Sequence, residues 1–233
     1  MSSEQDANNC LNINLRSGRL DFDLEVSATI QPQSVCGVFG ESGSGKTSLA
    51  RAIAGLDSSW LGCLLHQGVV WQDSDAKAFV PAHKRRVGFV FQGAELFEHL
   101  TISKNLDFAE KCGEASDDQP SRADLIEHFE LGKLLHQAPD RISGGERQRA
   151  AIAQALLSAP SMLVMDEPMA SMSRSMKEGL MPFIKNCRYQ FKGPMLYITH
   201  SEAELESVAD SVLLLQNGES HMFESVEQFL LRT

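Results

Sequence analysis

Two stretches near the start of the chain alternate apolar and polar residues: Leu11-Asn12-Ile13-Asn14-Leu15 and Leu20-Asp21-Phe22-Asp23-Leu24-Glu25-Val26. Period-two alternation puts the apolar side chains on one face of a strand. With Arg16-Ser17-Gly18-Arg19 between them, the pattern predicts an antiparallel hairpin with one wet face. Leu61-Gly62-Cys63-Leu64-Leu65 and Val69-Val70-Trp71 suggest a second small β pair. The other strand candidates are continuously apolar: Val35-Cys36-Gly37-Val38-Phe39, Val87-Gly88-Phe89-Val90-Phe91, Met162-Leu163-Val164-Met165 and Met195-Leu196-Tyr197-Ile198-Thr199. Runs of this kind suit strands buried on both faces of a parallel sheet.

Helix signals lie between these runs. Residues 48–54 read as a helix that Gly55 stops. Thr101 caps a helix through Cys112, and residues 113–119 form a polar loop. Ser121-Arg122-Ala123-Asp124 and Ser201-Glu202-Ala203-Glu204 are capping-box patterns, and Ser225 caps a last short helix with Gln228 at the box position. Ser143 opens a helix running to about Ser158. Asn217-Gly218 is a hairpin turn between strands 212–216 and 219–223. The expectation is an α/β fold with a mixed or parallel core sheet and an N-terminal antiparallel β subdomain. It forms one domain over residues 11–233 with a helical insertion at about 93–145, and 1–10 is a polar tail.

Composition narrows the function classes. A net charge of −10 argues against broad affinity for nucleic acid, and only Lys84-Arg85-Arg86 is locally basic. Five cysteines without a C-x-x-C spacing read as free thiols in a reducing cytoplasm. No apolar run reaches membrane-spanning length, and the polar, acidic start is not a secretory signal.

The chemistry starts at Gly40-Glu41-Ser42-Gly43-Ser44-Gly45-Lys46-Thr47, which fits G-x-x-x-x-G-K-[ST] and is followed by Ser48. A strand precedes the motif and a helix follows it. Glycines let backbone N–H groups turn inward around phosphate oxygens, and the helix N-terminus adds positive potential. Lys46 is placed to reach the β- and γ-phosphates, and the Thr47 hydroxyl to ligate Mg²⁺. The motif implies a nucleoside triphosphate site. Asp166-Glu167 closes a buried strand, where the aspartate can hold Mg²⁺ and the glutamate, on the other side of the extended chain, can polarise water. Taken alone the pair also suits an acidic helix cap; beside a phosphate loop, metal holding is the stronger reading. Strand, then chemistry, then helix recurs three times, as in sheets that hold ligands at their C-terminal edge.

Ser143-Gly144-Gly145-Glu146-Arg147-Gln148 closely resembles the signature of ATP-binding-cassette (ABC) ATPases. Gln92 resembles that family's Q-loop, Met165-Asp166-Glu167-Pro168 its Walker B, Met169-Ala170-Ser171-Met172-Ser173 its D-loop and Thr199-His200 its switch histidine. The likeness covers about residues 11–233. It implies ATP and Mg²⁺ held by Gly40 to Ser48, with Thr47, Gln92 and Asp166 around the metal. Glu167 would act on the lytic water, Gln92 would sense metal and water, and His200 would hold the γ-phosphate. Ser143, Gly144, Gly145 and Glu146 would cradle the ATP of a second copy, so the resemblance implies a head-to-tail homodimer with two ATP at its interface. Two departures stand out: Ser173 replaces the usual D-loop aspartate, and no adenine-stacking aromatic occupies residues 16–20. The first implies weakened communication across the dimer and altered hydrolysis, the second loose base selectivity.

The segment from Pro81 to Gln92, continued by Leu96-Phe97-Glu98-His99-Leu100-Thr101, resembles importer ATPases of the oxyanion, iron and polyamine groups. The nearest likeness is to the molybdate importers. That resemblance implies an energy-coupling ATPase on the cytoplasmic face of the inner membrane, partnered by integral-membrane permease subunits and indirectly by a substrate-binding protein, without nucleic acid. It further implies that the C-terminal oxyanion-binding regulatory domain of such ATPases is lacking. The alternatives are an importer of sulfate, iron or polyamine, a soluble ABC ATPase, or an ATP-bound regulator. Leu96, Phe97 and Leu100 are candidate exposed residues of a groove for a membrane-subunit helix, with core packing as the competing reading.

Overall fold

Two sheets sandwich one apolar interior and a second interior lies under the helices, an arrangement that explains the two kinds of strand pattern. The computed structural model describes residues 10–18, 23–113, 120–170 and 172–232. Among these, one sheet has the order β2-β1-β4-β5-β6 and is antiparallel throughout, and the other has the order β11-β10-β3-β9-β8-β7. The first comprises β1 (Leu11–Arg16), β2 (Glu25–Ile30), β4 (Leu61–His66), β5 (Val69–Asp73) and β6 (Ala78–Phe79). The second comprises β3 (Val35–Phe39), β7 (Val87–Val90), β8 (Met162–Asp166), β9 (Met195–Thr199), β10 (Ser211–Gln216) and β11 (Glu219–Phe223). Its pairs are parallel except for the β10–β11 hairpin.

The apolar runs are continuous because the core strands are buried on both sides. Met162 and Val164 of β8, with Leu196 and Ile198 of β9, share a cluster with Leu49 and Ile53 of α1 (Lys46–Ile53) and with Ile13 and Val26 of the antiparallel sheet. Their alternates Leu163, Met165, Met195 and Tyr197 face the other cluster, with Ile152 of α5 (Gly144–Leu157) and Leu180 of α6 (Arg174–Gln190). Between β7 and β8 the chain is helical. It forms α3 (Ile102–Cys112), α4 (Arg122–His128) and then α5, after the short α2 (Ala82–Arg85) ahead of β7. Thr101, Ser121 and Ser143 cap α3, α4 and α5 as expected, the last two through complete capping boxes.

The first hairpin differs from its prediction. Its second strand is residues 25–30, with Leu11 opposite Ile30 and Arg16 opposite Glu25. Val26, Ala28 and Ile30 continue the alternation and are buried, so the strand that pairs is the one whose apolar face reaches the core along its whole length. The expected residues 20–22, like the tail 1–9 and the polar loop 114–119, lie outside the described residues. Helix α6 was not legible: Gly179, Pro182 and Asn186 all lower helix propensity, and burial of Leu180 and Ile184 in the core overrides them. Two capping boxes are incomplete. Ser201 accepts from Glu204 N at the start of α7 (Glu202–Val208), but the Glu204 carboxylate turns inward. At α8 (Val226–Leu230), Gln228 reaches the N–H of Glu224 instead of that of Ser225.

Among the described residues no helix is long and apolar enough to cross a membrane. Cys36, Cys63 and Cys112 are free thiols. Cys10 is buried against the sheet, its thiol donating to Gln31 Oε1 at 3.2 Å.

Candidate active site

Strand order brings the sequence candidates together. In the order β3-β9-β8-β7, neighbouring parallel strands lie about 4.8 Å apart and end at the same edge. Phe39 pairs with Thr199, Asp166 with Ile198 and Val90 with Met165. Continuing those registers past the strand ends sets Gly40 beside His200, Glu167 beside Thr199 and Gln92 beside Glu167. Residues far apart in the chain therefore leave one sheet edge side by side.

The phosphate-loop residues are held for their task by backbone conformation. Gly43 and Gly45 have φ of 85° and 97°, left-handed values that favour glycine. Gly45 is the N-cap of α1, and no side chain caps that end, so its N–H groups remain for a ligand. A Cβ on Gly40 would stand 2.5 Å from both Leu215 O and Ser44 Oγ. Lys46 is buried and folds across its own loop, donating to Gly40 O and Glu41 O at 2.8 Å each. Burial lowers its pKa, while Glu167 and Asp166 pull it back up. Thr47 donates to Asp166 Oδ1 at 3.1 Å, joining α1 to the end of β8. Burial raises the Asp166 pKa above the usual carboxylate range, against the opposing bond from Thr47.

Glu167 has φ of 44°, a left-handed value uncommon for a residue with a side chain. Its N–H bonds Ile198 O at 3.0 Å, and its carboxylate lies 3.4 Å from His200 Nδ1. Gln92 is exposed in a turn just past β7. The D-loop segment follows Walker B directly, with Ser173 exposed and its hydroxyl 3.2 Å from that of Ser175; Ser171 lies outside the described residues.

Ser143 and Gly144 are exposed at the start of α5. Glu146 accepts from Ser143 N and Oγ at 2.8 and 2.7 Å, bonds that hold its carboxyl below the usual range. A Cβ on Gly145 would lie 3.2 Å from Met176 Cε of α6. Arg147 ties this helix to the segment after Gln92, through a bond to Ala94 O at 3.1 Å and an ion pair with Glu98. Of the groove candidates, Phe97 is 38% exposed and packs edge-on to Phe108, whereas Leu96 is buried and packs in the core.

Three polar residues that support these positions escaped the sequence reading. Asn105, fully buried in α3, accepts from Phe97 N and donates to the carbonyls of Phe97, Leu100 and Thr101, so it clamps the segment after Gln92. Arg85, also buried, donates to Ala52 O, Ile53 O, Val80 O and Trp71 O. Glu204 accepts from Lys177, Tyr197 and Thr199. A buried charge without a nearby opposite charge in sequence leaves no local signal; the locally basic run Lys84-Arg85-Arg86 was the nearest hint.

The residues present fit a magnesium-bound triphosphate. The Ser44 hydroxyl is buried without a hydrogen-bond partner, the loop comes too close to Leu215 and to itself for a side chain at Gly40, and a hydroxyl and a carboxylate meet at Thr47 and Asp166. Hard oxygen donors of this kind suit Mg²⁺.

Comparison with known proteins agrees with this geometry. A family profile described as ABC transporter matches residues 24–170. The chain is 40% identical over 211 residues to the molybdenum import ATP-binding protein ModC 1 of Azotobacter vinelandii, covering 91% of this chain and 58% of that relative. It is 42% identical over 209 residues to the ModC protein of Saccharophagus degradans, covering 89% and 57%. Against that of Pseudomonas aeruginosa it is 38% identical over 208 residues, covering 89% and 58%. The chain therefore spans less than three-fifths of the length of these relatives.

Proposed function

The chain belongs to the ABC transporter family, and from that premise we propose that it is the ATP-hydrolysing, energy-coupling subunit of an importer for molybdate or a related oxyanion. The observation that carries the reading is the shared strand edge at which Gly40 to Thr47, His200, Glu167 and Gln92 emerge, with Thr47 already bonded to Asp166. The relatives' printed function, molybdenum import, supports the choice of cargo.

The chain's own groups have separable tasks. Loop N–H groups from Gly40 to Ser48 and the Lys46 ammonium bind the phosphates; Lys46 must first leave Gly40 O and Glu41 O, and phosphate oxygens offer it stronger, charge-assisted partners. Thr47, Asp166 and Gln92 would hold Mg²⁺, which when bound neutralises phosphate charge. Glu167, partly buried and fixed by its unusual backbone, orients and polarises the attacking water as a general base. His200 stands beside it to bind the γ-phosphate. Ser143, Gly144, Gly145 and Glu146, at the start of α5, cover the nucleotide of a second copy in a head-to-tail dimer. Removing the γ-phosphate between the two halves reopens that dimer.

The unit that does this is residues 11–233, with the helical part at about 93–145 lying against permease subunits on the cytoplasmic face of the inner membrane. The groove bordered by Phe89, Phe91, Phe97 and Phe108 suits an apolar helix of such a subunit. A substrate-binding protein joins indirectly, outside this chain.

The test is turnover by the purified chain with and without co-expressed permease. Hydrolysis lost in Glu167→Gln and stimulated by permease and molybdate supports the proposal. Turnover indifferent to any membrane partner would favour a soluble ATPase, and stimulation by sulfate, iron or polyamine instead would reassign the cargo.

A further inference from the structure

Glu204 is placed by sequence to complete a helix cap, and the fold uses it otherwise. Its side chain is 7% exposed. Oε1 accepts from Lys177 Nζ at 2.8 Å, and Oε2 accepts from the Thr199 hydroxyl at 2.7 Å and the Tyr197 hydroxyl at 3.1 Å. An ionised carboxylate only accepts. The Thr199 proton is therefore committed to Glu204, and the oxygen's lone pair takes the N–H of Ser201 at 3.1 Å. Those two bonds bracket the backbone of His200 from both sides.

The bracket matters because the His200 ring has little else to hold it. Its side chain is 60% exposed, and its contact with Glu167 is 3.4 Å long, a distance at which a hydrogen bond is weak. Lys177 brings in a distant element. It lies in the first turn of α6, its N–H bonded to Ser173 O at 3.0 Å, and its side chain is 29% exposed. The Lys177–Glu204 ion pair thus runs from the start of α6, where the D-loop segment ends, to the backbone on either side of His200.

We propose that Lys177 and Glu204 are positioning residues for His200, coupling the start of α6 to the orientation of the histidine ring within one chain. This rests on the reading of the site as an ATPase. A desolvated ion pair adds little net stability over apolar packing, so the geometry it enforces is what distinguishes it from filler.

The test uses the whole chain and two readouts. In the nucleotide-free protein, the His200 ring resonances are assigned by comparison with His200→Ala and followed in Lys177→Met, Lys177→Arg and Glu204→Gln. The His200 signals are expected to shift in Lys177→Met and Glu204→Gln and to return in Lys177→Arg, while the other histidines stay in place. In steady-state hydrolysis, Lys177→Met is expected to lower kcat about tenfold or more while KM and nucleotide Kd stay within about twofold, with rescue by Lys177→Arg. Unmoved His200 resonances in both charge-removing variants would overturn the inference. So would a joint loss of kcat, nucleotide affinity and Tm, which marks a structural role. A wild-type chain that fails to hydrolyse ATP yet shows the His200 shift would overturn the ATPase reading and leave the coupling standing.

Discussion

At the scale of single residues, the groups that carry free energy are polar ones placed where water is absent. His66 is 2% exposed and lies 4.5 Å from the Trp71 ring. Burial lowers its pKa from 6.5 to about 4, with the Ser161 backbone a weak opposing influence. The unfolded chain therefore binds the extra proton first as pH falls. The fold is fully stable with respect to this group above 6.5 and loses about 3 kcal/mol as pH drops to about 4. Urea unfolding across that window should show this slope in the wild type and its absence in His66→Phe. At Lys46, removal of the ammonium by Lys46→Ala should weaken binding of a fluorescent ATP analogue by at least about tenfold, or ~1.4 kcal/mol. An unchanged titration would exclude Lys46 from phosphate binding.

At the scale of elements, helix α1, which follows the glycine-rich loop, is anchored at its C-terminal end. Arg85 donates to Ala52 O and Ile53 O at 2.8 and 2.7 Å, in the last turn of α1, and to Val80 O at 2.6 Å. A cation here complements the negative end of the helix dipole. Its guanidinium also lies 4.8 Å from the Phe79 ring centroid, and burial lowers its pKa to about 10, well above neutrality. Arg85→Met would remove the side-chain donor from these carbonyls, leaving Ala52 O only the N–H of Gly55, at a cost of about 3 kcal/mol or more, measurable as a lower Tm. Nucleotide affinity should fall with it, since α1 carries Lys46 and Thr47. Asn105 plays the same part for the segment after Gln92. Asn105→Leu keeps the volume but leaves Phe97 N and three carbonyls without their side-chain partner, and should cost about 2 kcal/mol or more.

At the scale of the whole molecule, the proposed head-to-tail dimer completes each nucleotide site with the signature residues of a second copy. Glu167→Gln, which removes the proposed base and keeps the proposed phosphate-binding groups, should bind ATP with near wild-type affinity and turn it over about a hundredfold or more slowly. With ATP and Mg²⁺ it should run as a dimer in sedimentation, and with ADP as a monomer. A monomer under both conditions would remove the shared-site arrangement.

The local parts of this picture were legible residue by residue. Backbone conformation at Gly43 and Gly45 depends on neighbours in sequence, as do the caps at Thr101, Ser121 and Ser143 and the turn at Asn217-Gly218, and each stands where the sequence predicts. The continuous apolar runs likewise announced strands buried on both faces. Only the tertiary structure decided the order β3-β9-β8-β7, the register of the first hairpin, the helix 174–190 and the partners of Asn105, Arg85 and Glu204. Those depend on which surfaces exclude water from one another, and desolvation is shared among residues far apart in the chain. A turn or a cap is settled within about four residues, whereas a buried charge acquires its meaning only when the fold supplies its partner.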